Sequence, residues 1–302
     1  MVSEKPTLFF LVGPTASGKT EYAVSWARRY GAEILSCDSL AVYKGMDIGT
    51  AKPSPRQREE IPHWGLDLVH PEDSFSVYRY QCYAHRVVKE ILERGNRVLV
   101  VGGSGFYLKS FFAPVADDIP ETAFDEVRRW AQRETASILL HRLMDLNNGK
   151  LPPGFDASNP RRIQNALARC WATRLSLEQL QTRMASIPFP LEGYEKKLFR
   201  IHLPLEILKI RLRFRIDAMF HRGWLEEVHA LVERDPEFEH RVPAQSVGYR
   251  EIVRFLKISH PTPDDEARLR EEIFTRSVHL IKKQNTWFRT QIPGTRFAEG
   301  YL

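Results

Sequence analysis

The chain has 302 residues, of which 43% are hydrophobic, and it carries a formal net charge of +6. This length suits two domains, or one domain with an insertion, and the composition is that of an ordinary globular protein whose basic excess allows nucleic acid binding without requiring it. No apolar stretch approaches the ~20 residues of a membrane-spanning helix, and the first apolar run lacks the flanks of a signal peptide. We therefore expect a cytoplasmic protein with no membrane partner. The three cysteines are widely spaced and show no metal-ligand spacing, as in a reducing compartment: Cys37, Cys82 and Cys170.

Strands and helices alternate through the first third of the chain. Apolar runs predict three strands, and the segments between them predict helices that end at glycines. The predicted strands cover residues 7–12, 32–37 and 97–103, and the predicted helices cover 19–30 and 76–94, with another helix beginning at 104. Residues 45–55, rich in glycine and proline, are predicted to be a loop. The alternation is typical of a parallel sheet flanked by helices and predicts the α/β class.

The pattern changes after residue 116. Residues 117–196 are helical in character and contain no good strand, and strand character returns at 198–203. We therefore predict a helical insertion, residues 117–196, within one α/β core made of residues 1–116 and 197–302. The rest is predicted to be helical, with one apolar face formed by Leu205, Leu208, Leu212, Ile216 and Phe220. A long last helix, 264–288, has four core candidates: Leu269, Ile273, Leu280 and Ile281.

Residues 13–20 read GPTASGKT directly after the first predicted strand. This is the P-loop pattern GxxxxGK[ST], in the strand–loop–helix setting in which it binds phosphates. The glycines let backbone N–H groups turn inward, the lysine adds positive charge, and the threonine hydroxyl is a ligand for Mg²⁺. The predicted diphosphate-binding residues are Gly13, Pro14, Thr15, Ala16, Ser17, Gly18, Lys19 and Thr20, with Thr20 also the predicted metal ligand. The pattern does not show which molecule carries the phosphates, and the alternative is a glycine-rich turn with an incidental lysine.

A carboxylate is missing where a P-loop hydrolase usually has one. Such enzymes hold Mg²⁺ and position water with an acidic residue at the end of a second strand. Here the strand at 97–103 ends in Val101-Gly102-Gly103, and Asp38 instead follows the strand at 32–37. Because ligands bind at the carboxyl ends of parallel strands, Asp38 should lie near the P-loop. It could be a metal ligand, a general base or the capping residue of a turn.

Basic residues cluster at three places. Arg211 and Arg215 lie four residues apart on one helix stripe, from which an arginine could reach the phosphates. Basic and aromatic residues mix on the last predicted helix, a composition typical of RNA-binding surfaces: Arg276, His279, Lys282, Lys283, Trp287, Phe288 and Arg289. In the insertion, Asn159 and Pro160 suit the N-cap and first position of a helix that opens with two arginines and two amides. The alternative in each case is a solvent-exposed helix face, with the aromatic rings in the core.

Taken together, these segments resemble the tRNA dimethylallyltransferase (tRNA isopentenyltransferase) family over nearly the whole chain. The resemblance rests on the P-loop and on five more segments: residues 38–53 (DSLAVYKGMDIGTAKP), 101–108 (VGGSGFYL), 159–165 (NPRRIQN), 245–249 (QSVGY) and 283–289 (KQNTWFR). The MDIGTAKP and QNTWFR sequences are far more specific than the P-loop.

The resemblance implies a P-loop NTPase-like fold whose nucleotide-binding, ATP-type motif holds the diphosphate of dimethylallyl diphosphate. It implies transfer of the dimethylallyl group to N6 of the adenine 3′ of the anticodon in tRNA, with release of diphosphate and with Mg²⁺ as cofactor. By the same resemblance, Asp38 accepts the N6 proton, Arg215 stabilises the diphosphate with Lys19 and Thr20, and the Ser104 hydroxyl reaches the reacting nitrogen or the diphosphate. The implied catalytic residues are thus Asp38, Ser104 and Arg215.

The resemblance also implies a set of tRNA-binding residues, with the insertion and the basic C-terminal helix gripping the anticodon stem-loop. These residues are Asp38, Ser39, Leu40, Ala41, Ser104, Arg162, Ile163, Gln164, Asn165, Ala166, Gln245, Ser246, Gly248, Arg276, Lys282, Lys283 and Arg289. We expect a monomer.

Some positions depart from the family's pattern. Ala41 stands where the family has a side chain that can hydrogen-bond a base, His63-Trp64 stands where a histidine pair is common, and Ser104 stands for a threonine. These departures bear on recognition rather than on the reaction. Two other functions share part of the evidence. A small-molecule P-loop kinase would need no basic C-terminal surface, and an RNA-binding P-loop protein that uses a nucleotide as a switch would not need Asp38.

Overall fold

The computed structural model describes residues 5–115 and 119–291 of the chain. The chain divides into two compact units, which we call the core unit (Met1–Phe112 with Leu191–Leu302) and the insertion unit (Ala113–Pro190). None of the described helices is both long and apolar enough to cross a bilayer.

Strands and helices alternate in the core unit. Its first part contains β1 (Thr7–Val12), α1 (Lys19–Tyr30), β2 (Ala32–Cys37), α2 (Pro55–Glu60), β3 (His63–Trp64), α3 (Val77–Glu93), β4 (Arg97–Gly102) and α4 (Gly105–Lys109). The insertion unit contains α5 (Glu121–Arg133), α6 (Ala136–Asp145), α7 (Pro160–Thr173) and α8 (Leu177–Ala185). The core unit resumes with β5 (Glu195–Arg200), α9 (Leu205–His221), α10 (Trp224–Arg234), α11 (Tyr249–Phe255) and α12 (Pro263–Gln291). Short 3₁₀ turns at Phe238–His240 and Pro243–Gln245 lie between α10 and α11.

The five strands form one sheet in the order β3-β2-β4-β1-β5, and every pairing is parallel. Both faces are covered, because successive side chains of a strand point to opposite sides. Phe10 and Val100 pack into the larger apolar cluster with α3, α9 and α12, whereas Leu11 and Leu99 pack with α1. The carboxyl ends of β1, β4 and β2 therefore lie side by side at one edge, with β4 in the middle.

The bounds of β1, α1 and β2 are those predicted, and Gly31 caps α1 in the left-handed conformation. Two short elements, α2 and β3, were not predicted. Strand β5 begins at Glu195, so the predicted core boundary at 197 falls inside this strand. The prediction that Leu280 belongs to the core is wrong, because its side chain is 37% exposed. In this part of α12 the buried residues are Ile281 and Phe288, and Leu280 lies outside the buried face.

A buried carboxylate joins three elements of the core unit. Glu33 in β2 accepts hydrogen bonds from Arg94 (2.8 Å), Asn96 (2.8 Å) and the Trp64 indole (2.7 Å). Burial raises the pKa of Glu33, but these three donors outweigh burial and hold the pKa below its usual range. The ionised carboxylate therefore ties β3 and the end of α3 to β2.

The insertion unit has an apolar core of its own, formed by α5, α6, α7 and α8. Leu143 and Ile163 are among its fully buried side chains. Asn159 caps α7 as predicted, since its side chain accepts from the backbone N–H groups of Arg161 and Arg162, and Pro160 takes the first position. Asn147 buttresses this core, because its side chain accepts from the backbone N–H of Leu177 at 2.6 Å.

Candidate active site

The P-loop joins β1 to α1 and presents unpaired backbone donors. Ala16 and Gly18 have φ angles of 61° and 87°, which turn successive peptide planes inward. A Cβ atom on Gly13 would lie 3.1 Å from the carbonyl oxygen of Ile201, so the glycine allows the loop to pass close to the end of β5. Within the described part of the chain, the N–H groups without a protein acceptor include those of Ala16, Gly18, Lys19 and Thr20. With the N-terminus of α1, they form a cradle suited to a diphosphate.

Two half-buried cations, Lys19 and Arg215, lie beside this cradle. The Lys19 ammonium donates to the carbonyl oxygen of Pro14 at 2.7 Å. Burial and the neighbouring Arg215 lower the pKa of Lys19 to about 7, and Asp38 opposes them. Burial also lowers the pKa of Arg215, again opposed by Asp38. The structure thus brings Lys19, Arg215 and Asp38 together beside the cradle.

Asp38 and Ser104 belong to one hydrogen-bonded turn at the ends of β2 and β4. The Asp38 carboxylate accepts from the N–H of Leu40 at 2.9 Å, which fixes one of its oxygens. Ser104 accepts from the N–H of Ser39 at 2.9 Å, and the two hydroxyl groups lie 3.2 Å apart. Ser104 therefore contacts both the backbone and the hydroxyl group of Ser39, the residue next to Asp38.

Two cavities meet at the P-loop. A cleft of about 1600 Å³ opens on one side, and a smaller cavity of about 120 Å³ contains the Asp38 side of the site. Both are lined by Lys19, Thr20, Ala51, Lys52 and Arg215. The cleft also has an apolar wall, formed by Leu11, Phe199, Ile201, Leu203 and Met219. The cradle and its two cations thus lie where an apolar cleft and a small polar cavity meet.

Glycines at the end of β4 leave the gap between the P-loop and Asp38. β4 lies between β1, which leads into the P-loop, and β2, which leads into Asp38. A Cβ atom on Gly102 would lie only 2.0 Å from the carbonyl oxygen of Cys37, so this position cannot carry a side chain. Gly102 and Gly103 line the smaller cavity. The strand end that carries an acidic residue in hydrolases carries no side chain here, and it borders the smaller cavity between the phosphate donors and Asp38.

The loop formed by residues 47–52 faces both cavities, and it is held by Glu227, a residue that sequence reasoning missed. The Glu227 carboxylate in α10 accepts from the N–H groups of Asp47 (2.7 Å), Ile48 (2.6 Å) and Gly49 (3.1 Å). It also accepts from the hydroxyl of Tyr249 at 2.6 Å. The segment MDIGTAKP marks the loop in the sequence, but nothing in the amphipathic pattern of α10 marks Glu227.

The same loop is held from within by a buried lysine. The Lys52 side chain is 1% exposed, and its ammonium donates to Asp47 (2.7 Å), Asp67 (2.6 Å) and the carbonyl oxygen of Tyr43 (2.6 Å). All three donor positions of the ammonium are thereby used. Lys52 and Glu227 together fix the segment that carries Ala51 into the lining of both cavities.

Gln284 of α12 is a second residue that sequence reasoning missed. Its side-chain oxygen accepts from the N–H of Thr15 in the P-loop at 3.0 Å, and its side-chain nitrogen donates to the carbonyl oxygen of Gly103 at 3.2 Å. Gln284 also lines the smaller cavity. It lies in the KQNTWFR segment, which was the available signal, but the prediction for that segment covered only basic and aromatic residues.

The structure corrects two of the tRNA-binding residues predicted in the insertion unit. Arg162 and Asn165 are exposed on α7 and Gln164 is half-buried. Ile163 and Ala166, however, are 2% and 6% exposed, because they lie three residues apart on the helix face that packs in the unit's core. They can position their neighbours but cannot offer a surface to RNA.

Several predicted tRNA-binding residues of the core unit are buried or already bonded to other protein groups. Gly248 is buried with φ 95°, and a Cβ atom there would lie 2.2 Å from the Trp224 ring, so its role is close packing. Arg276 is bound by Glu251 (3.1 Å) and Glu272 (2.9 Å). Ala41 is buried but lines the smaller cavity, and Ser246 bonds to a backbone carbonyl oxygen. The exposed members of the set include Gln245, Lys282, Lys283 and Arg289.

The aromatic residues of α12 do not form a surface for stacking bases. Phe288 is fully buried, and Trp287 packs over Gly105, where a Cβ atom would lie 2.4 Å from the indole. The basic residues Lys282, Lys283 and Arg289 remain exposed on the same helix. The predicted mixed basic and aromatic surface is therefore basic only.

The fold and the site define a P-loop protein of the α/β class, in which a diphosphate cradle faces a carboxylate across a gap. A family model described as IPP transferase matches residues 41–291. The tRNA dimethylallyltransferase of Opitutus terrae is 40% identical over 297 residues, covering 97% of this chain and 93% of that protein, and that of Staphylococcus saprophyticus is 33% identical over 303 residues, covering 97% and 91%. The chain belongs to the tRNA dimethylallyltransferase family of prenyl-transferring enzymes, as its sequence motifs predicted.

Solved structures agree with this family. The tRNA delta(2)-isopentenylpyrophosphate transferase of Staphylococcus epidermidis is 31% identical with a TM-score of 0.65, covering 97% of this chain and 92% of that one. A eukaryotic dimethylallyltransferase acting on tRNA, 22% identical, has a TM-score of 0.77 over 94% of this chain and 70% of that one, and so shares the fold. Family membership decides against the small-molecule kinase and the RNA-binding switch.

Proposed function

We propose that this protein transfers the dimethylallyl group from dimethylallyl diphosphate to N6 of the adenine 3′ of the anticodon in tRNA and releases diphosphate. The observation that carries the proposal is the glycine-lined gap at the end of β4, with phosphate donors on one side and Asp38 on the other. A hydrolase needs a carboxylate in that gap, whereas an alkyl transfer needs room there for two reacting atoms.

The reaction assigns one task to each side of the gap. The bond between C1 of the dimethylallyl group and the diphosphate oxygen breaks, and its electron pair leaves with the diphosphate. The N–H donors of the cradle, Lys19 and Arg215 balance that developing charge. A bond forms between N6 and C1, and the proton lost from N6 moves to the Asp38 carboxylate. This base is needed because the exocyclic amine of adenine is a poor nucleophile.

The residues at the cradle also fit a Mg²⁺ ion. Within residues 5–115 and 119–291, no group of three or more His, Cys, Asp and Glu side chains could hold a metal, but the Thr20 hydroxyl lies beside the cradle. Such a donor suits Mg²⁺, which usually keeps waters and binds substrate phosphates with few protein ligands. Held by Thr20 and the diphosphate, the ion would neutralise charge on the leaving group.

The apolar wall of the cleft can contact the hydrocarbon end of the donor beside the cradle. We assign the tRNA contacts to exposed cations. In the insertion unit these include Arg162, with the amides Gln164 and Asn165 next to it, and on α12 they are Lys282, Lys283 and Arg289. An anticodon loop is cheaper to open than a duplex, so the target base can be extruded into the smaller cavity. A cytoplasmic location and a monomeric state stay predictions.

A double-label assay tests the proposal. Purified protein is incubated with unmodified tRNA and with either dimethylallyl diphosphate labelled in the prenyl carbon or ATP labelled in the γ-phosphate. We expect label in tRNA from the prenyl donor only, located on N6 of one adenosine after digestion. A tRNA with guanine at that position is the matched control and should stay unlabelled. Label passing from ATP to a small acceptor would overturn the proposal.

A further inference from the structure

Gln284 connects the last helix of the chain to the phosphate cradle. Its amide joins two backbone groups that belong to different strand ends, the N–H of Thr15 after β1 and the carbonyl oxygen of Gly103 after β4. The neighbouring Asn285 accepts from the guanidinium of Arg200, at the end of β5, at 2.7 Å. Two consecutive side chains of α12 thus reach the P-loop and both strands that flank β1.

The chemistry of the Gln284 contact specifies an amide. One partner is a donor and the other is an acceptor, so the side chain must accept at one atom and donate at the other. A carboxylate would turn lone pairs towards the carbonyl oxygen of Gly103, and asparagine is one methylene too short. Gly103 leaves room for this contact, because a Cβ atom there would lie 2.8 Å from the Gln284 nitrogen and would displace the amide.

Because the Thr15 N–H donates to Gln284, this N–H is not available to a bound phosphate. The N–H of Thr15 is satisfied by Gln284, whereas those of Ala16, Gly18, Lys19 and Thr20 have no protein acceptor within the described residues. Gln284 therefore acts on the donor substrate indirectly, through the backbone of the loop. The second bond fixes that loop against the glycine gap at the end of β4, on whose far side Asp38 lies.

We propose that Gln284 is a positioning residue, which sets the distance between the diphosphate cradle and Asp38 by holding the P-loop to the end of β4. The inference rests on the proposed transfer of a dimethylallyl group and adds a residue to that site. Its physical basis is that transfer between two bound substrates falls steeply when the reacting atoms are misplaced by about 1 Å.

Three variants test this role in the full-length protein. Gln284→Met keeps the size of the side chain and removes both hydrogen bonds, Gln284→Glu changes only the donor atom, and Thr286→Ala is the control on an exposed position of the same helix. For each, kcat and KM are measured for both substrates, and the affinity for inorganic diphosphate is measured by calorimetry. We expect Gln284→Met to lower kcat by about 10–100-fold and to weaken diphosphate binding, with the KM for tRNA changed less than about twofold.

The pH profile of Gln284→Glu separates positioning from general damage to the fold. A protonated carboxyl can accept from Thr15 and donate to Gly103, as the amide does, whereas the ionised form cannot. Activity relative to wild type should therefore rise as the pH falls, and the profile of Thr286→Ala should match wild type. The inference is wrong if Gln284→Met keeps wild-type kcat and diphosphate affinity, or if the relative activity of Gln284→Glu does not change with pH. If the wild type transfers no prenyl group, the proposed function fails, while the diphosphate affinities still test Gln284.

Discussion

Replacing Glu227 by alanine tests how the loop that faces both cavities is held. A hydrogen bond to a charged group contributes about 1.5–3 kcal/mol, and the carboxylate accepts four. Water can replace it at the partly exposed N–H groups of residues 47–49, so the loss equals one or two such bonds rather than four. We expect Glu227→Ala to lower the free energy of unfolding by about 3 kcal/mol, and the unfolding midpoint by roughly 6–12 °C.

The assay for Glu227→Ala combines thermal unfolding, followed by circular dichroism, with prenyl transfer. Because the loop carries Ala51 and Lys52 into the lining of both cavities, kcat/KM for dimethylallyl diphosphate should fall by about tenfold or more even well below the midpoint. Glu233→Ala on the same helix is the control, since its side chain is 69% exposed and pairs only with His229 among the described residues. It should change stability by no more than about 0.5 kcal/mol. A midpoint for Glu227→Ala within about 1 °C of the control would refute the reasoning.

Three further predictions address the base, the buried carboxylate and the basic helix. Asp38→Ala should lower prenyl transfer by about 10²-fold or more while tRNA binding, measured by filter retention, is largely kept; a near-normal rate would remove Asp38 from the mechanism. The pKa of Glu33 is lowered in the folded protein, so its stabilisation is complete above the unfolded pKa and is lost as the pH falls through the folded one. Glu33→Gln should therefore flatten the rise of unfolding free energy with pH in the acid range below the usual pKa of a glutamate, measured in urea, and an unchanged slope would contradict this. The affinity for tRNA should fall steeply with salt, and Lys282→Gln with Lys283→Gln should reduce the slope of log K against log salt by about 1–2; a slope equal to wild type would exclude this face as a docking surface.

Local signals in the sequence were enough for the elements that form the phosphate site. Strand β1, the P-loop and α1 are marked by an apolar run, a phosphate-binding pattern and a glycine C-cap, all within residues 7–31. The position of Asp38 followed from β2 and from the rule that parallel strands share one ligand-binding edge. These features depend on contacts close in the sequence or on general topology.

The residues that hold the site together could not be read from spacing. Gln284 bonds to Thr15 across 269 positions, and Glu227 bonds to the loop at 47–49 across about 180. No periodicity or motif connects such partners. Strand β3 escaped prediction for a related reason, since two residues become a strand only through pairing with β2. The burial of Ile163 could have been predicted from the helical period of α7, but the family resemblance placed this residue among the tRNA contacts.

The place of the insertion unit in the sequence separates, in time, the synthesis of the two strands that pair with β1. β1 pairs with β4 on one side and with β5 on the other, and residues 113–190 are made between those two partners. At ribosomal rates of 5–20 residues per second this gap lasts about 4–16 s. Through that interval one edge of β1 is exposed on the nascent chain and is a hazard for mispairing, while the insertion unit, with its own core, can already fold. The P-loop stays unsupported for longer, because its anchor Gln284 on α12 is synthesised after both partner strands of β1. A product that stops before α12 would therefore carry the whole phosphate-binding motif without the Gln284 bonds that hold the loop to the end of β4.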